Sequence, residues 1–225
     1  MQKGYQPGER RPIAARNLKL SQSLARWLAR QGASPNAISV TGMTCGILAG
    51  FVLAATSFAS GNARWCWISG AVLIQLRLLA NLLDGMVAIE SQRASPLGEL
   101  YNEIPDRLSD AATLIGLGYS TGGSSTLGYA AAAAAVLTAY VRAQGKVAGA
   151  RQHFCGPMAK QQRMFVVTLI GVYCAVAPLA WQPVWGDETG WGIPAAGLAL
   201  IVVGSVITAI RRLIRVADDL RHGAK

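Results

Sequence analysis

Apolar residues fall into six blocks separated by short polar or glycine-rich segments. The blocks cover residues 37–58, 65–87, 107–119 with flanking residues, 127–148, 164–181 and 192–214. A helix needs about 20 residues to cross the hydrocarbon core of a bilayer, so these blocks predict membrane-spanning helices. The third block is the weakest, because Asp106 and Asp110 lie at its start. The predicted fold class is an all-α membrane protein with six spans, since lone strands cannot satisfy their backbone hydrogen bonds in lipid.

A short amphipathic helix is predicted ahead of the first block. The apolar face of segment 17–30 consists of Leu20, Leu24, Trp27 and Leu28, with basic residues elsewhere. A helix of this kind fits the cytoplasmic interface of a membrane, and a cap helix packed on the bundle is the alternative. We therefore expect two parts: a basic tail and juxtamembrane helix over residues 1–33, and a six-span domain over residues 34–225.

The distribution of charge predicts the topology. Of the 21 Lys and Arg residues in the 225-residue chain, seven precede the first block, and others cluster in the loop after the fourth block and in the tail. The segments 59–64, 120–126 and 182–191 carry one basic residue between them, Arg64. The positive-inside rule then predicts that both termini are cytoplasmic, as in a bacterial inner-membrane protein. The net charge of +10 sorts to one side of the membrane, so we expect contact with anionic lipid and no binding of nucleic acid.

Tryptophans mark the opposite side of the predicted membrane. They cluster at the predicted outer ends of the spans, as an aromatic belt would. The residues concerned are Trp65, Trp67, Trp181, Trp185 and Trp191.

Polar residues interrupt the second and third blocks at helical spacing. Arg77, Asn81 and Asp84 share one helical face near the cytoplasmic end of the second span. A second stripe, which recurs every four residues at the start of the next span, is formed by Asn102, Asp106 and Asp110. Stripes on consecutive antiparallel helices can face each other across one cleft. Ionisable groups at membrane depth are costly and mark candidate functional sites.

Closely spaced carboxylates repel each other unless a cation lies between them. Several oxygen ligands from two helices suit a hard divalent ion, Mg²⁺ or Mn²⁺, better than zinc. Glu103, Asp106 and Asp110 also share a helical face, although Pro105 favours a helix that begins near Asn102. The alternative is a cluster of solvated carboxylates paired with Arg77, Arg93 and Arg107.

The spacing of these residues resembles the signature of the CDP-alcohol phosphotransferases, D-x-x-D-G-x-x-A-R followed after a spacer by G-x-x-x-D-x-x-x-D. The matching positions are Asp84, Gly85, Ala88, Gly98 and Asp106. The Pro35-Asn36 pair before the first span and the stretch 156–160 with Arg163 are also similar to the family. The resemblance covers roughly residues 34–215.

Three signature positions differ in this chain. The first aspartate is Asn81, the arginine is Ile89 and the third aspartate is Asn102. An asparagine still offers a carbonyl oxygen to a hard cation, but the site loses two negative charges. Glu103 and Asp110 are close enough in sequence to compensate.

The resemblance implies attack of a polar alcohol on the β-phosphorus of a CDP-linked lipid, with release of CMP. CDP-diacylglycerol is the expected donor, and a homodimer is expected. Asp84 is then the central metal ligand, Asn81 and Asn102 complete the ligand set, and Asp106 also serves as the base. Glu103 and Asp110 are reserve ligands.

The remaining candidates concern the two substrates. Gly85, Ala88 and Gly98 are expected near the CDP moiety, where the two glycines either allow close backbone approach or serve helix packing and a turn. Arg77 either pairs with Asp84 or contacts a phosphate. Three basic residues are candidates to hold an anionic acceptor: Arg151, Lys160 and Arg163. The alternative is that they only reflect the positive-inside rule.

Three hypotheses about function follow. The first is an active transferase of phospholipid synthesis with an altered metal site, favoured by the spacing of Gly98 and Asp106. The second is a non-catalytic member that binds nucleotide or lipid, favoured by Asn81 and Asn102. The third is a small ion-coupled transporter whose acidic residues relay ions.

Overall fold

The structure, a computed structural model, describes residues 14–59, 61–93, 95–185 and 190–223. Within these ranges the chain forms seven α-helices: α1 (Lys19–Arg30), α2 (Pro35–Ala55), α3 (Ala63–Glu90), α4 (Pro96–Gly118), α5 (Ser125–Val147), α6 (Lys160–Val176) and α7 (Ile193–His222). The 3-10 helices Ala14–Asn17 and Leu179–Trp181 and a two-strand hairpin, Val184–Trp185 with Trp191–Gly192, complete the described structure. The all-helical prediction is confirmed.

Helix α2 is central to one half of the bundle, because it packs against both α3 and α4. Small residues allow this close approach. A Cβ atom on Gly50 would collide with the backbone of Ala112, and one on Gly116 would collide with the backbone of Gly50. Helices in lipid gain much of their association energy from such close packing of small residues. The other half pairs α5 with α7, while α4 contacts α5 and α3 contacts α6.

Large apolar side chains are exposed over the outside of the bundle. Leu53, Ile74 and Leu198 are buried in the core, while Phe51 and Phe165 are exposed on the helix surfaces. By length and composition, α2, α3 and α7 could each cross a membrane. Helix α4 carries charged residues in its first half, and α6 has only 17 residues. An apolar exterior of this extent fits a protein surrounded by lipid.

Helix α4 is longer than the sequence predicted. It begins at Pro96, capped by the Ser95 side chain, and it continues through Pro105. The expected start near Asn102 is therefore wrong. Proline at the first helical position and a serine cap favour initiation at Pro96. Pro105 is buried within the bundle, where tertiary packing outweighs the loss of one backbone hydrogen bond.

Helix α1 packs on the bundle and also exposes large apolar side chains. Ser21 and Ala25 are buried, and Ala25 belongs to a small apolar cluster with Leu83 and Val87 of α3. Leu20 and Trp27 remain exposed. Both interpretations of this segment therefore apply, since small residues dock it to α3 and a large apolar edge is available to the membrane interface.

The tryptophans predicted as an aromatic belt divide into two groups. The exposed members are Trp65, Trp181, Trp185 and Trp191. Trp67 is only 3% exposed and belongs to the apolar core, so its assignment to the belt is wrong. Trp65 and Trp67 are two positions apart, which places them on different faces of α3.

Gly116→Val is expected to lower the apparent melting temperature of the purified protein strongly, with about 1–3 kcal/mol or more lost to overpacking. The added side chain would collide with the backbone of Gly50, which cannot move as a flexible side chain could. Gly85→Ala is the matched control, because a Cβ atom on Gly85 meets no atom within 4 Å. Thermal unfolding in detergent measures both variants, and equal melting temperatures would contradict the proposed contact.

Candidate active site

The polar stripes of α3 and α4 face each other, as the sequence predicted, and α2 packs against both helices. Glycines on α2 leave room for these polar side chains to reach each other. A Cβ atom on Gly46 would lie 2.5 Å from Cβ of Ser109 and 2.6 Å from Cδ of Arg77. Similarly, a Cβ atom on Gly42 would lie 3.2 Å from Oδ1 of Asn81. The glycines of α2 therefore open the space in which side chains from α3 and α4 reach each other.

Asp84 is buried and held in one orientation. Its side chain accepts a hydrogen bond from the Ser39 hydroxyl at 2.6 Å and one from the backbone N–H of Gly85 at 2.5 Å. Asp84 as a whole is only 2% exposed. The Ser39 hydroxyl oxygen also lies 3.2 Å from the carbonyl oxygen of Pro35 in the first turn of α2. Sequence reasoning missed Ser39, because a serine inside a span carries no motif.

Asp106 is the meeting point of three helices. The Asn81 amide of α3 donates to Oδ1 of Asp106 at 2.7 Å. The Lys160 ammonium, at the start of α6, lies 2.5 Å from Oδ2. The guanidinium of Arg77 lies 3.9 Å from Oδ1. The structure thus joins Asn81, Asp106 and Lys160, which lie up to 79 positions apart in the sequence, in one cluster.

Asp110 lies one helical turn deeper, between two buried arginines. Arg77 donates to Oδ1 at 2.6 Å and Arg163 donates to Oδ2 at 2.8 Å. Arg77 also donates to the Ser109 hydroxyl, and Arg163 also donates to the carbonyl of Met158. Buried charges require partners of this quality. These three side chains join α3, α4 and α6 below the cleft.

Glu103 is directed towards α5. Its carboxylate pairs with Arg142 at 2.5 Å and with Arg107 at 2.9 Å, and half of the side chain is exposed. Asn102 is partly buried, one helical turn before Asp106. The two reserve carboxylates, Glu103 and Asp110, are therefore both engaged by arginines in this structure.

The segment that precedes α6 is fixed to α7. Gly156 has a φ of +120°, and a Cβ atom there would collide with the Thr208 side chain. The backbone N–H of Met158 donates to the Thr208 hydroxyl at 3.0 Å. Nearby, the backbone N–H of Arg151 donates to Asp219, while Arg151 itself is exposed. This connection sets the position of Lys160, two residues beyond Met158.

The predicted CDP-binding positions lie around the same end of the bundle. Gly85 follows Asp84 on α3, and space is open around its α-carbon. Ala88 is partly buried one turn further along α3. Gly98 lies in the first turn of α4, where its backbone N–H donates to the Ser95 hydroxyl. A Cβ atom on Gly98 would lie 3.9 Å from Oδ1 of Asn36, so the starts of α2 and α4 are adjacent.

The donor set at this end is suited to a hard cation, although it is sparse. In the described part of the chain, no three side chains of His, Cys, Asp or Glu come together as a metal site. Asp84 and Asp106 supply carboxylate oxygens, and Asn81 and Asn102 can supply amide oxygens. Oxygen donors of this kind fit Mg²⁺ or Mn²⁺. The residues fit such an ion with two carboxylates in place of the four that the signature would provide.

Comparison with known protein families agrees with this geometry. The sequence model described as CDP-alcohol phosphatidyltransferase matches residues 33–210. The chain belongs to this family. It is an enzyme of a membrane transferase family of phospholipid biosynthesis, and the predicted resemblance is confirmed. The family assignment favours an enzyme over the ion-coupled transporter considered from the sequence.

Curated relatives align over most of their length. The phosphatidylinositol phosphate synthase of Mycolicibacterium smegmatis is 26% identical over 202 residues, covering 87% of this chain and 83% of that protein. The archaetidylinositol phosphate synthase of Aeropyrum pernix is 27% identical over 210 residues, covering 91% and 93%. The inner membrane protein YnbA of Escherichia coli is 24% identical over 205 residues, covering 89% and 96%.

Solved structures share the fold. A crystal structure of Mycobacterium tuberculosis phosphatidylinositol phosphate synthase with CDP-DAG bound superposes with a TM-score of 0.70 and 21% identity, covering 88% of this chain and 94% of that one. A second structure of the same enzyme, in complex with manganese and citrate, gives a TM-score of 0.69. The likeness shows a common helical membrane fold.

Gly85→Ala is expected to keep the melting temperature while raising the KM for a CDP-linked lipid about tenfold or more. The Cβ atom would enter open space beside Asp84, which costs the fold little but blocks close approach of a ligand to the backbone. Steady-state kinetics with varied CDP-lipid measures this effect. An unchanged KM would show that the nucleotide does not approach Gly85.

Proposed function

We propose that this chain transfers a phosphatidyl-type group from a CDP-linked lipid to a polar alcohol and releases CMP. The observation that carries the proposal is the convergence of Asp106, Asn81 and Lys160, within electrostatic range of the buried Asp84. The family match over residues 33–210 supports the reaction class. The solved relative with CDP-DAG bound supports CDP-diacylglycerol as the donor.

The reaction requires a base and a place for the diphosphate. The hydroxyl oxygen of the acceptor forms a bond to the β-phosphorus, and the bond from that phosphorus to the bridging oxygen breaks, so that CMP leaves with this oxygen. Asp106 accepts the hydroxyl proton. A carboxylate is a weak base, so its position beside the acceptor must contribute much of the effect.

Asp84, Asn81, Asn102 and Asp106 would hold a divalent ion, Mg²⁺ or Mn²⁺. The solved relative in complex with manganese supports this assignment. When bound, such an ion neutralises the diphosphate and stabilises charge on the transferred group. Ser39 and the Gly85 N–H keep Asp84 oriented. Gly85, Ala88 and Gly98 would line the approach of the CDP moiety.

The acceptor would enter on the side of α6. Lys160 lies directly beside Asp106, and Arg151 is exposed on the preceding segment. Arg163 is 1% exposed, with its guanidinium directed to Asp110 and Met158, so we propose that it positions α6 rather than contacting the acceptor. In the same way, Arg77 positions α3 against α4 and does not contact a phosphate. Relatives named phosphatidylinositol phosphate synthase and archaetidylinositol phosphate synthase make a phosphorylated polyol the first acceptor to test.

We further propose that the protein lies in a bacterial inner membrane with both termini cytoplasmic, and that it forms a homodimer. The basic residues near both termini support this orientation. The E. coli relative is named an inner membrane protein. The site would then face the cytoplasm, from which a water-soluble acceptor can enter and into which CMP can be released.

The decisive experiment uses the purified full chain in detergent with CDP-diacylglycerol and Mn²⁺ or Mg²⁺. A panel of inositol phosphate, glycerol phosphate, inositol and serine is supplied, CMP is measured by chromatography, and the lipid products are identified by mass spectrometry. We expect metal-dependent CMP release with one acceptor and the corresponding phospholipid. Asn81 and Asn102 favour a non-catalytic member as the second candidate, and CDP-lipid binding without CMP release for any acceptor would establish it.

A further inference from the structure

The ionisable side chains of the cluster around Asp106 balance without any added ion. Three carboxylates are present, on Asp84, Asp106 and Asp110. Three basic side chains contact Asp106 or Asp110, those of Arg77, Lys160 and Arg163. The net formal charge of this set is zero. A divalent ion therefore enters a neutral cluster rather than a strongly negative one.

Lys160 supplies the charge that completes this balance. Its ammonium lies 2.5 Å from Oδ2 of Asp106, while the Asn81 amide occupies Oδ1. Both oxygens of Asp106 are thus engaged by side chains of the chain itself. Asp84 contacts a hydroxyl and a backbone N–H, and within the described residues no basic side chain lies within ion-pair distance of it.

The position of Lys160 is fixed by the fold. Gly156 packs against Thr208 of α7, and the backbone N–H of Met158 donates to the Thr208 hydroxyl. Ala159, which directly precedes Lys160, is only 2% exposed. The Lys160 side chain is itself only 16% exposed. An ammonium held in this way acts as a built-in cation, in contrast to a solvated surface lysine.

Among the described residues, neither reserve carboxylate restores the two negative charges that Asn81 and Asn102 lack. Glu103 is engaged by Arg107 and Arg142, and Asp110 is engaged by Arg77 and Arg163. The neutral amides of Asn81 and Asn102 add no charge. One dication raises the charge of the cluster to +2, and a second would raise it to +4 before any substrate binds.

We infer that Lys160 takes the place of a metal charge at Asp106, so that the chain binds a single divalent cation, centred on Asp84. This inference rests on the proposed metal-dependent function and deepens it. Mn²⁺ binding to the purified full chain, measured by electron paramagnetic resonance of the unbound ion, tests it without any turnover. We expect one Mn²⁺ per wild-type chain.

Lys160→Met is expected to bind Mn²⁺ about tenfold more tightly, because a repelling ammonium is lost and the Asp106 carboxylate, released from its ion pair with Lys160, binds the cation more strongly. Lys160→Arg keeps the charge and should retain the wild-type affinity. Lys146→Met is the matched control, because Lys146 is half exposed and pairs with Glu99 away from this cluster. Size-exclusion chromatography and circular dichroism establish that each variant is folded.

Two bound ions or none in the wild type would overturn the inference, as would a gain of less than threefold in Lys160→Met. CMP release measured on the same preparations separates this test from that of the proposed function. The expected Mn²⁺ results without any CMP release would overturn the function and leave the inference standing. CMP release with an unchanged Mn²⁺ affinity in Lys160→Met would overturn the inference and leave the function standing.

Discussion

Asp84→Asn is expected to lower kcat/KM for CMP release by at least about 10³-fold, a loss typical of removing a central electrostatic group. Asn keeps the size of the side chain and can still accept the hydrogen bond from the Ser39 hydroxyl. The carboxylate charge that would hold the cation is lost, however, and the neighbouring asparagines cannot replace it. Initial rates at saturating Mn²⁺ measure the effect.

Ser39→Ala is the companion variant for this experiment. It keeps the Asp84 charge but removes the hydroxyl that fixes the carboxylate at 2.6 Å, so we expect a smaller loss, about tenfold. A rise in the Mn²⁺ concentration needed for half-maximal rate would identify Ser39 as a positioning residue. Asp84→Asn with more than a tenth of wild-type activity would contradict the role of Asp84.

The fold was predictable to the extent that it depends on hydropathy and helical period. The blocks 127–148 and 37–58 match α5 and α2 within a few residues. The start of α4 was not predictable in the same way, because Pro105 is an unfavourable residue whose cost is offset by contacts with other helices. The position of Trp67 was also not predictable in this way. It lies near the end of a predicted span, as an aromatic-belt residue would, but it is on the face of α3 that is buried in the core.

The site was predictable only where partners lie at helical spacing within one segment. Arg77, Asn81 and Asp84 share a face in the structure as expected. Which basic residue would meet which carboxylate depends on how α6 lies against α3 and α4, and no spacing rule contains that information. Lys160 and Arg163 were predicted together as acceptor contacts, yet they pair with different aspartates.

The glycines of α2 are a second case in which the sequence predicts a close contact but not the residues that make it. Gly42 and Gly46 are single small residues within an apolar span, a pattern that predicts close helix packing but not its partner. In the structure they make room for polar side chains of α3 and α4, including Arg77, Asn81 and Ser109. The cleft therefore depends on a helix that carries none of the signature residues.

Asp110→Asn is expected to lower the free energy of unfolding by about 3–5 kcal/mol, the cost of breaking a buried ion pair by removing one partner. Arg77 and Arg163 would both remain buried with a neutral amide between them, and the Asp110 side chain is only 2% exposed. We expect a marked fall in apparent melting temperature in detergent, together with a loss of activity that follows from displaced helices.

Glu103→Gln is the matched control, because Glu103 also bridges two arginines, but half of its side chain is exposed. Solvent-exposed ion pairs contribute about 0–1 kcal/mol, so its melting temperature should stay close to that of the wild type. The comparison separates burial from the number of ion pairs, which is two in both cases. Equal losses of stability in the two variants would show that the Arg77–Asp110–Arg163 bridge does not join the helices of the buried cluster. A large loss confined to Asp110→Asn would establish that the deepest carboxylate of the cleft is a structural support, leaving Asp84 and Asp106 as the carboxylates available for chemistry.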